Sequence, residues 1–343
     1  MSACAVALAA SATLGSPAGS ERASFIAYNG EAIAVIRPDG QLVDEVFYTG
    51  CPSWSPDGRR FAAADTPVGD ERLYVVDVGA GPDHAVARAS LYNHGRPSWS
   101  PDGKQLVFNV DGGRLLIARA DGRGTRVLTK PPIRRTVAVE DWDPAWSPDG
   151  KWIAFTRTRS NFSLEGRPGA STPADVYLIR PDGTGLRRLV RGGSAPAWSP
   201  DGREIAFARN SSGLWVLAVD EHRLRQVSSK AVLPRLFWLD RRRLFAPEWS
   251  PDGAAIAFQA FVRPGRWEIF VVSADGGGER NLTHSPADER SPSWSPDGTS
   301  LVYSHTERAR KQIYKVDSDG TDRLALTEGG RGGWFDDCPA WAP

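Results

Sequence analysis

The stretch WSPDG, first met at residues 54–58, occurs six times in this sequence, and its copies decide the fold. A seventh copy is shortened and reads WAP from residue 341. The spacing between successive copies runs from 45 residues (Trp54 to Trp99) to 52 residues (Trp146 to Trp198). A repeat period in the forties is typical of an array of small structural units that resemble one another. The tryptophans that begin the copies are Trp54, Trp99, Trp146, Trp198, Trp249, Trp294 and Trp341.

Each copy predicts a tight turn between two short strands. Pro56 sets φ at the first corner, Asp57 can accept a local backbone N–H, and Gly58 takes a positive φ without steric cost. Apolar runs follow the turns, for example at 106–110 and 301–304. A second turn, of the RPDG or ADG type, then separates a third strand from a fourth. Four short strands in a meander form one blade of a β-propeller. The second turns lie at 37–40, 119–122, 180–183, 273–276 and 317–320.

The two ends of the repeat region complement each other. Residues 25–48 read as a second, third and fourth strand with no WSPDG before them, and residues 338–341 read as a first strand with nothing after it. We expect the two pieces to share one blade, because closing the ring removes exposed strand edges. The prediction is an all-β, seven-bladed β-propeller of four-stranded antiparallel blades, closed by a split N- and C-terminal blade. Six or eight blades are the alternatives. Residues 23–343 then form one domain.

Residues 1–22 are predicted to be a signal peptide or a disordered leader. The run ACAVALAASATL at 3–14 has the length of a signal h-region and is too short for a membrane span. We therefore expect an exported protein that is periplasmic, envelope-associated or secreted. An alternative is a lipid anchor at Cys4, because Met-Ser-Ala-Cys resembles the end of a bacterial lipoprotein signal; it requires a start further upstream.

Composition and motifs give no sign of catalysis. The chain has 42 basic and 41 acidic residues and a net charge of +1, which does not favour nucleic acid. There is no GxSxG elbow, no HExxH helix, no phosphate-binding glycine loop and no cysteine–histidine zinc spacing. We predict a protein that is not an enzyme and that uses no cofactor and no metal.

The WSPDG motif and the ADG-type turns resemble those of TolB-type propellers of the bacterial envelope. They are also similar to the propeller halves of prolyl oligopeptidase-type peptidases. The resemblance covers nearly the whole chain after the leader. TolB propellers have six blades, whereas the repeat count here gives seven. The resemblance implies a monomer that binds a protein or peptide partner, an envelope component among the options, at the loop-rich mouth of the central channel.

Two cysteines predict a disulfide across the split blade. Cys51 and Cys338 each lie three residues before a repeat tryptophan, in innermost strands that would be neighbours. Such a bond survives in an exported protein. Two buried thiols are the alternative. The other copies carry different residues at this position, namely Arg96, Asp143, Ala195, Ala246 and Ser291.

The loops that enter the innermost strands should converge on one mouth of the channel. They combine charged residues with aromatic ones, a mixture that suits partner recognition, because aromatic side chains anchor a partner and charges orient it. The candidate binding residues are Arg96, Asp141, Trp142, Asp143, Arg290, Trp334, Asp336 and Asp337.

The alternative function is a carbohydrate-active lyase or hydrolase with a metal or an acid pair in the channel. His94, His284 and His305 are expected on the mouth face, as solvated loop histidines unless they hold a metal. An acid pair for glycoside cleavage could come from Asp141, Asp143, Asp336 and Asp337. The DSDGTD stretch at 317–322 resembles a calcium-binding loop.

Two segments depart from the repeat. Residues 158–174 form a polar insertion rich in glycine and proline, for which we predict a mobile surface loop. Residues 230–247 form an extra piece predicted to be a hairpin or a cap across one face.

Overall fold

A computed structural model describes most of the chain, and regular structure within these residues is entirely β. The predicted leader 1–22, Cys4 with it, and most of the extra piece at 230–247 lie outside the described residues. No helix in the part that is described is long and apolar enough to cross a bilayer. The described residues are 24–29, 32–46, 49–65, 72–78, 84–88, 96–110, 113–132, 137–162, 168–209, 212–230, 247–263, 266–308, 310–328 and 338–343.

The strands group into seven sheets, called blades 1 to 7. Blade 1 contains β1 (Ile26–Asn29), β2 (Ile33–Ile36) and β3 (Leu42–Val46). Blade 2 contains β4 (Thr49–Trp54), β5 (Arg60–Asp65), β6 (Arg72–Asp77) and β7 (His84–Arg88). Blade 3 contains β8 (Ser98–Trp99), β9 (Gln105–Val110), β10 (Arg114–Arg119) and β11 (Arg126–Val127).

The later blades repeat this order. Blade 4 contains β12 (Val137–Trp146), β13 (Ile153–Phe162), β14 (Pro168–Ile179) and β15 (Arg187–Val190). Blade 5 contains β16 (Ser194–Trp198), β17 (Glu204–Ala208), β18 (Leu214–Ala218) and β19 (Arg223–Ser228). Blade 6 contains β20 (Glu248–Trp249), β21 (Ala255–Arg263), β22 (Arg266–Ser273) and β23 (Arg280–Asn281). Blade 7 contains β24 (Asp288–Trp294), β25 (Ser300–Glu307), β26 (Arg310–Asp317) and β27 (Leu324–Ala325).

The last strand, β28 (Ala340–Trp341), completes blade 1 by pairing antiparallel with β1, with Ile26 opposite Trp341. Every sheet has four antiparallel strands, so the predicted seven-bladed propeller with a split closing blade is confirmed. The hydrophobic core confirms the ring, because its seven clusters each join two successive blades. One of them packs Ile26 and Trp341 of blade 1 against Val302 of blade 7.

Five of the seven repeat tryptophans bind one blade to the next through the indole N–H. Trp99 Nε1 donates to the carbonyl oxygen of Ser53, the residue that precedes the tryptophan of the previous blade, at 2.8 Å. The same bond closes the ring, because Trp54 Nε1 donates to Ala340 O at 2.8 Å. A buried indole N–H needs such an acceptor. The bond recurs at Trp198, Trp249 and Trp294.

The WSPDG turn is held by its own side chains. Ser100 Oγ donates to Asp102 Oδ1 at 2.6 Å, and that oxygen also accepts the N–H of Lys104 at 3.1 Å. The serine bond, more than the others, holds the pKa of Asp102 below its usual range. The turn therefore forms from local contacts alone, which is why the sequence predicts it. The same serine–aspartate bond occurs at Ser55, Ser147, Ser199, Ser250 and Ser295.

In blades 1, 3, 4, 6 and 7 the second turn packs against the fourth strand of the blade before it. Gly40 shows the contact most clearly: its φ is +89°, and a Cβ there would lie 2.6 Å from the backbone oxygen of Leu326 in blade 7. Arginine side chains strengthen the same seam. Arg225 of blade 5 donates to the carbonyl oxygen of Ala274 in blade 6 at 2.7 Å. Peripheral contacts thus add to the inner tryptophan bonds.

We expect Gly40→Ala to destabilise the protein more than Gly278→Ala does. Both glycines have positive φ, which costs alanine about 1 kcal/mol. Gly278 has nothing within 4 Å of its added Cβ, whereas Gly40 would press against Leu326 O. The clash should cost roughly 1–3 kcal/mol more. Urea unfolding of the two variants measures the difference, and equal losses would contradict the packing described here.

The prediction of a mobile loop at 158–174 is wrong. The backbone continues β13 and β14 through most of this stretch, with Arg159 opposite Thr172 and Phe162 opposite Pro168. Within the stretch 158–174, residues 163–167 lie outside the described residues. The polar insertion lengthens a hairpin because each of its two arms offers the other a backbone partner, and two register shifts absorb its irregular length.

Candidate functional site

The first strand of every blade runs toward its tryptophan, so the starts of these strands mark one face of the ring, called the mouth. Blade 4 is the tallest wall at the mouth. Its first three strands have 10, 10 and 12 residues, and they extend beyond the repeat on this side. In blade 7 the first three strands have 7, 8 and 8 residues, and in blade 6 the second and third strands have 9 and 8 residues. The mouth is therefore asymmetric.

A buried ion pair supports the wall of blade 4. Asp141 is fully buried, and its carboxylate accepts hydrogen bonds from Arg157 Nε at 2.6 Å and Nη2 at 2.8 Å. The Arg157 guanidinium also lies over the Tyr177 ring, at 4.7 Å from its centroid. Bidentate pairing of this kind fixes both side chains. Asp141, one of the sequence candidates, therefore supports the mouth from within and does not present its carboxylate to solvent.

Blade 7 contains the same arrangement in another form. Glu289 lies five residues before Trp294, as Asp141 lies five before Trp146, and it is fully buried. His305 Nδ1 lies 3.0 Å from Glu289 Oε1, and Arg323 Nη2 donates to the same oxygen at 3.0 Å. Below, these two groups of residues are called the buried ion clusters of blades 4 and 7.

The expectation that His305 is a solvated loop histidine is wrong, because it is buried against Glu289 and Tyr314. The sequence analysis did not predict that His305 pairs with Glu289. The sequence does contain a signal for this pairing, because an acid five residues before the tryptophan and a base eleven residues after it lie opposite each other in the first hairpin of the blade. The register pairs Glu289 with His305 and Asp141 with Arg157.

The residues three positions before the tryptophans are called the inner ring of the channel; Ala246, at this position in blade 6, lies outside the described residues. Three residues of the inner ring sit at bulges of the first strands with positive φ, namely Asp143 at 50°, Ala195 at 52° and Ser291 at 56°. At the same position Cys51 and Cys338 form the predicted disulfide between blades 2 and 1, with 5.4 Å between their Cα atoms. Both cysteines are buried.

Arg96 occupies the inner ring in blade 3 and reaches across the channel. Its Nη2 donates to the carbonyl oxygen of Pro339 in blade 1 at 3.1 Å, so the side chain spans past blade 2. Burial lowers the pKa of Arg96, and the negative charge of Glu248 opposes that shift. Glu248 in blade 6 accepts hydrogen bonds from Ser293 Oγ at 3.2 Å and Trp294 N at 3.1 Å. Arg96 and Glu248 influence each other's charge but form no direct ion pair.

Arg290 lies on the rim of blade 7, next to the inner ring. Its Nε donates to Asp288 Oδ2 at 2.7 Å, and its guanidinium lies over the Trp267 ring at 5.3 Å. Its Nη1 is buried and has no hydrogen-bond partner among the residues that the structure describes. Trp142 is partly exposed in the middle of β12, in the wall of blade 4. The structure therefore places five of the candidates at the mouth, while Trp334, Asp336 and Asp337 lie outside the described residues.

No group of three or more histidine, cysteine, aspartate or glutamate side chains in the described residues is placed to hold a metal. His284 is exposed, and His94 lies outside the described chain. In the stretch at 317–322, Asp319 Oδ1 instead accepts the N–H of Thr321 at 2.9 Å, as other turns of this type do.

Comparison with known proteins agrees with this geometry. A family model described as the TolB beta propeller domain matches residues 50–168 and 196–340, which is most of the chain. The chain belongs to this family.

Among curated proteins, it is similar to the Tol-Pal system protein TolB of Anaeromyxobacter dehalogenans (strain 2CP-C), with 37% identity over 102 residues. The matched stretch is 29% of this chain and 20% of that relative, so the chain spans about a fifth of the curated TolB protein's length.

Two solved structures have a similar propeller fold. TolB from Acinetobacter baumannii has 21% identity and a TM-score of 0.53, covering 93% of this chain and 67% of that one. An oligogalacturonate lyase in complex with manganese has 14% identity and a TM-score of 0.60, covering 88% of this chain and 83% of that one. At these identities the likeness concerns the propeller fold alone.

In this TolB-family propeller, Asp143 has an unusual titration. Burial raises its pKa to about 6, and the hydrogen bond from Thr156 Oγ1, at 3.1 Å, opposes the shift only in part. Between pH 4 and pH 6 the folded protein therefore holds a proton that the unfolded chain has lost, and stability rises as the pH falls through this range.

We expect Asp143→Asn to stabilise the protein by roughly 1–3 kcal/mol at pH 8, because it removes a buried charge, and to have no such effect below about pH 4. Urea unfolding at pH 8, 6 and 4 measures this. Asp220→Asn, at an exposed turn, is the control and should show no pH-dependent gain. Destabilisation by Asp143→Asn at pH 8 would contradict the assignment.

Proposed function

We propose that this TolB-family propeller is an exported, non-catalytic protein that binds a protein or peptide partner at its mouth. The observation that carries the proposal is the construction of the mouth. Buried ion clusters fix the walls of blades 4 and 7, and Trp142 and Arg290, both partly exposed, lie on the first strands of the same two blades. A partner that meets a pre-ordered surface loses less conformational freedom on binding.

The family supports a partner in the bacterial envelope. The relatives include a protein named as a Tol-Pal system protein, and we extend an envelope role to this chain as part of the proposal. The apolar run at 3–14 and the buried disulfide both suit export, because disulfides persist in oxidising compartments. The protein is then periplasmic, envelope-associated or secreted, and monomeric.

Site-specific photo-crosslinking tests the proposal. A benzophenone amino acid in place of Trp142 should crosslink a discrete partner in cells that make the protein. The same group in place of Leu224 is the control, because Leu224 is 40% exposed on β19, the outermost strand of blade 5. Crosslinks at position 224 but not at 142 would place the partner elsewhere on the ring and end the proposal.

The alternative function is that of a carbohydrate-active enzyme, and the likeness of this chain to such an enzyme concerns the fold alone. It requires a stoichiometric metal or an acid pair and the cleavage of a sugar polymer. Metal analysis of the purified protein and an assay with oligogalacturonate and Mn²⁺ decide between the two. Turnover that depends on the metal would replace the binding function proposed above.

A further inference from the structure

We propose that the protein has a second binding site, on the face opposite the mouth, and that this site takes a phosphorylated sugar. The site is a cavity beside Trp152 in blade 4, and the phosphate is held by Arg180 and Arg187. It shares no residue with the mouth and does not depend on the function proposed above.

The cavity lies where two turns of blade 4 meet. The WSPDG turn and the second turn of a blade are on the same face, because its first and third strands run in the same direction. In blade 4 residues of both turns line a cavity of about 360 Å³, which is within the usual size range of sites for small molecules. Trp152, on its wall, is partly exposed. The lining residues are Lys151, Trp152, Arg180, Pro181 and Asp182.

Two arginines meet on the ring of Trp152. The Cζ atom of Arg180 lies 4.9 Å from the ring centroid, and that of Arg187 lies 5.1 Å from it. The register explains the first contact, because the pair Ile153 and Ile179 sets Trp152 opposite Arg180. Both arginines are exposed, so a ligand can reach them. A guanidinium that is held over an aromatic ring can still donate from the N–H groups along its edge.

Arg180 is free of the ion pair that its equivalent forms in blade 3. There, the first residue of the second turn is Arg119, whose Nε donates to Asp121 Oδ1 at 3.2 Å and whose Nη2 lies 2.9 Å from Asp121 Oδ2. Arg180 has the same position in blade 4, two residues before Asp182. Its guanidinium lies over Trp152 and forms no hydrogen bond or ion pair with the residues that the structure describes. The donors of Arg180 are therefore available to a ligand.

Arg187 is also free of a bond that arginines on other fourth strands form. In blades 3, 5 and 6 such an arginine donates to a carbonyl oxygen in the second turn of the next blade. These bonds run from Arg126 to Pro181, from Arg225 to Ala274 and from Arg280 to Ser318. The turn that Arg187 would have to reach is short, since residues 219–222 alone separate the third and fourth strands of blade 5, against 180–186 in blade 4. Within the described chain Arg187 contacts Trp152 instead.

The charges at the cavity favour a dianion. Among the described residues around it, Arg180 and Arg187 are cations without a counter-ion, whereas Lys151 Nζ lies 3.1 Å from Asp149 Oδ2. Asp182 Oδ1 already accepts two hydrogen bonds within its own turn. A phosphate monoester carries a charge of about −1.5 to −2 at pH 7 and offers three acceptor oxygens. One phosphate group therefore matches the charge and the donors of two guanidinium groups.

The remaining walls of the cavity favour a sugar ring on that phosphate. Trp152 and Pro181 are apolar, and the C–H face of a ring can pack against them. Asp182, on the same wall, can accept the hydrogen of a hydroxyl group. A sugar ring is apolar on its faces and carries hydroxyl groups at its edge. A phosphorylated monosaccharide thus combines the three groups for which the cavity has partners.

Isothermal titration calorimetry of the full chain at low ionic strength tests the site. The ligands are the 1-phosphates and 6-phosphates of glucose, galactose and mannose. The comparison compounds are the same sugars without phosphate, inorganic phosphate and phenyl phosphate. The variants are Arg180→Gln and Arg187→Gln. Arg119→Gln is the matched control, because Arg119 is exposed at the same position of the second turn in blade 3 and already has an acid partner.

We expect at least one sugar phosphate to bind, and to bind about tenfold or more tightly than its parent sugar and than inorganic phosphate. Arg180→Gln and Arg187→Gln should each weaken this ligand by about ten- to hundredfold. Arg119→Gln should change its Kd less than about twofold. Both arginines of the site are exposed, so the thermal unfolding temperature of the two variants should stay close to that of the unsubstituted protein.

Three results would overturn the proposal. If none of the sugar phosphates binds, the cavity does not take this class of ligand. If inorganic phosphate or phenyl phosphate binds as tightly as every sugar phosphate, the cavity does not recognise a sugar. If Arg119→Gln weakens binding as much as Arg180→Gln does, the ligand is attracted to basic turns in general and not to this cavity. Crosslinking at position 142 tests the mouth independently of all three.

Discussion

Replacing both Cys51 and Cys338 by alanine is expected to lower the free energy of unfolding by about 5 kcal/mol. The two residues are 287 apart in the sequence, so the disulfide closes almost the whole ring. Such a link removes a large part of the conformational freedom of the unfolded chain, and the gain grows with the logarithm of loop length. Alanine is the suitable replacement because both cysteines are buried. Equilibrium urea unfolding measures the loss.

Two controls separate the disulfide from packing. Reduction of the unsubstituted protein should produce the same loss, while the double variant should not respond to reductant. Thiol titration of the unfolded chain should find two more thiols after reduction than before it. Equal thiol counts with and without reductant, in a protein purified from an oxidising compartment, would show that the bond does not form.

Asp141→Asn is expected to lower the free energy of unfolding by about 3–5 kcal/mol. The substitution keeps the shape of the side chain but leaves the buried guanidinium of Arg157 without its counter-charge. A single cation in such a place is costly, because the interior solvates it poorly. The double variant Asp141→Asn, Arg157→Met should recover most of the loss, since methionine can pack against the ring of Tyr177. Chemical unfolding of both variants tests this.

The exposed pair of Glu221 and Arg223 provides the matched control. Its ion pair is 3.3 Å long, but both side chains are about two thirds exposed. Glu221→Gln should change stability by about 0–1 kcal/mol, because water screens the pair. A loss at Asp141 no larger than that at Glu221 would mean that the cluster of blade 4 does not hold the wall.

The number of blades and their internal order were predictable because every signal involved is local. A proline, an aspartate and a glycine in fixed order form a turn through bonds that reach at most five residues, such as that from Gln105 N to Ser100 Oγ at 2.9 Å. The disulfide was predictable for a related reason, since equal positions in a repeat occupy equal positions in neighbouring blades.

The composition of the insertion at 158–174 led to a wrong prediction of its secondary structure. Its polar, glycine- and proline-containing sequence is typical of a loop, yet it extends the hairpin of blade 4. Strand propensity depends on the neighbours that a strand finds, and here each arm of the hairpin supplies the other with a partner. This pairing produces the long strands of blade 4 at the mouth.

The sequence by itself thus determined the repeat, the turns, the split blade and the cysteine pair, because these depend on contacts within a blade or on the symmetry of the repeat. Only the tertiary structure decided what each polar residue at the mouth does. Arg96 and Pro339 are 243 residues apart, and closure of the ring alone brings them together. Packing between blades decides which of these charges are buried: Asp141 is fully buried, and Arg96 Nε and Arg290 Nη1 have no hydrogen-bond partner in the described residues.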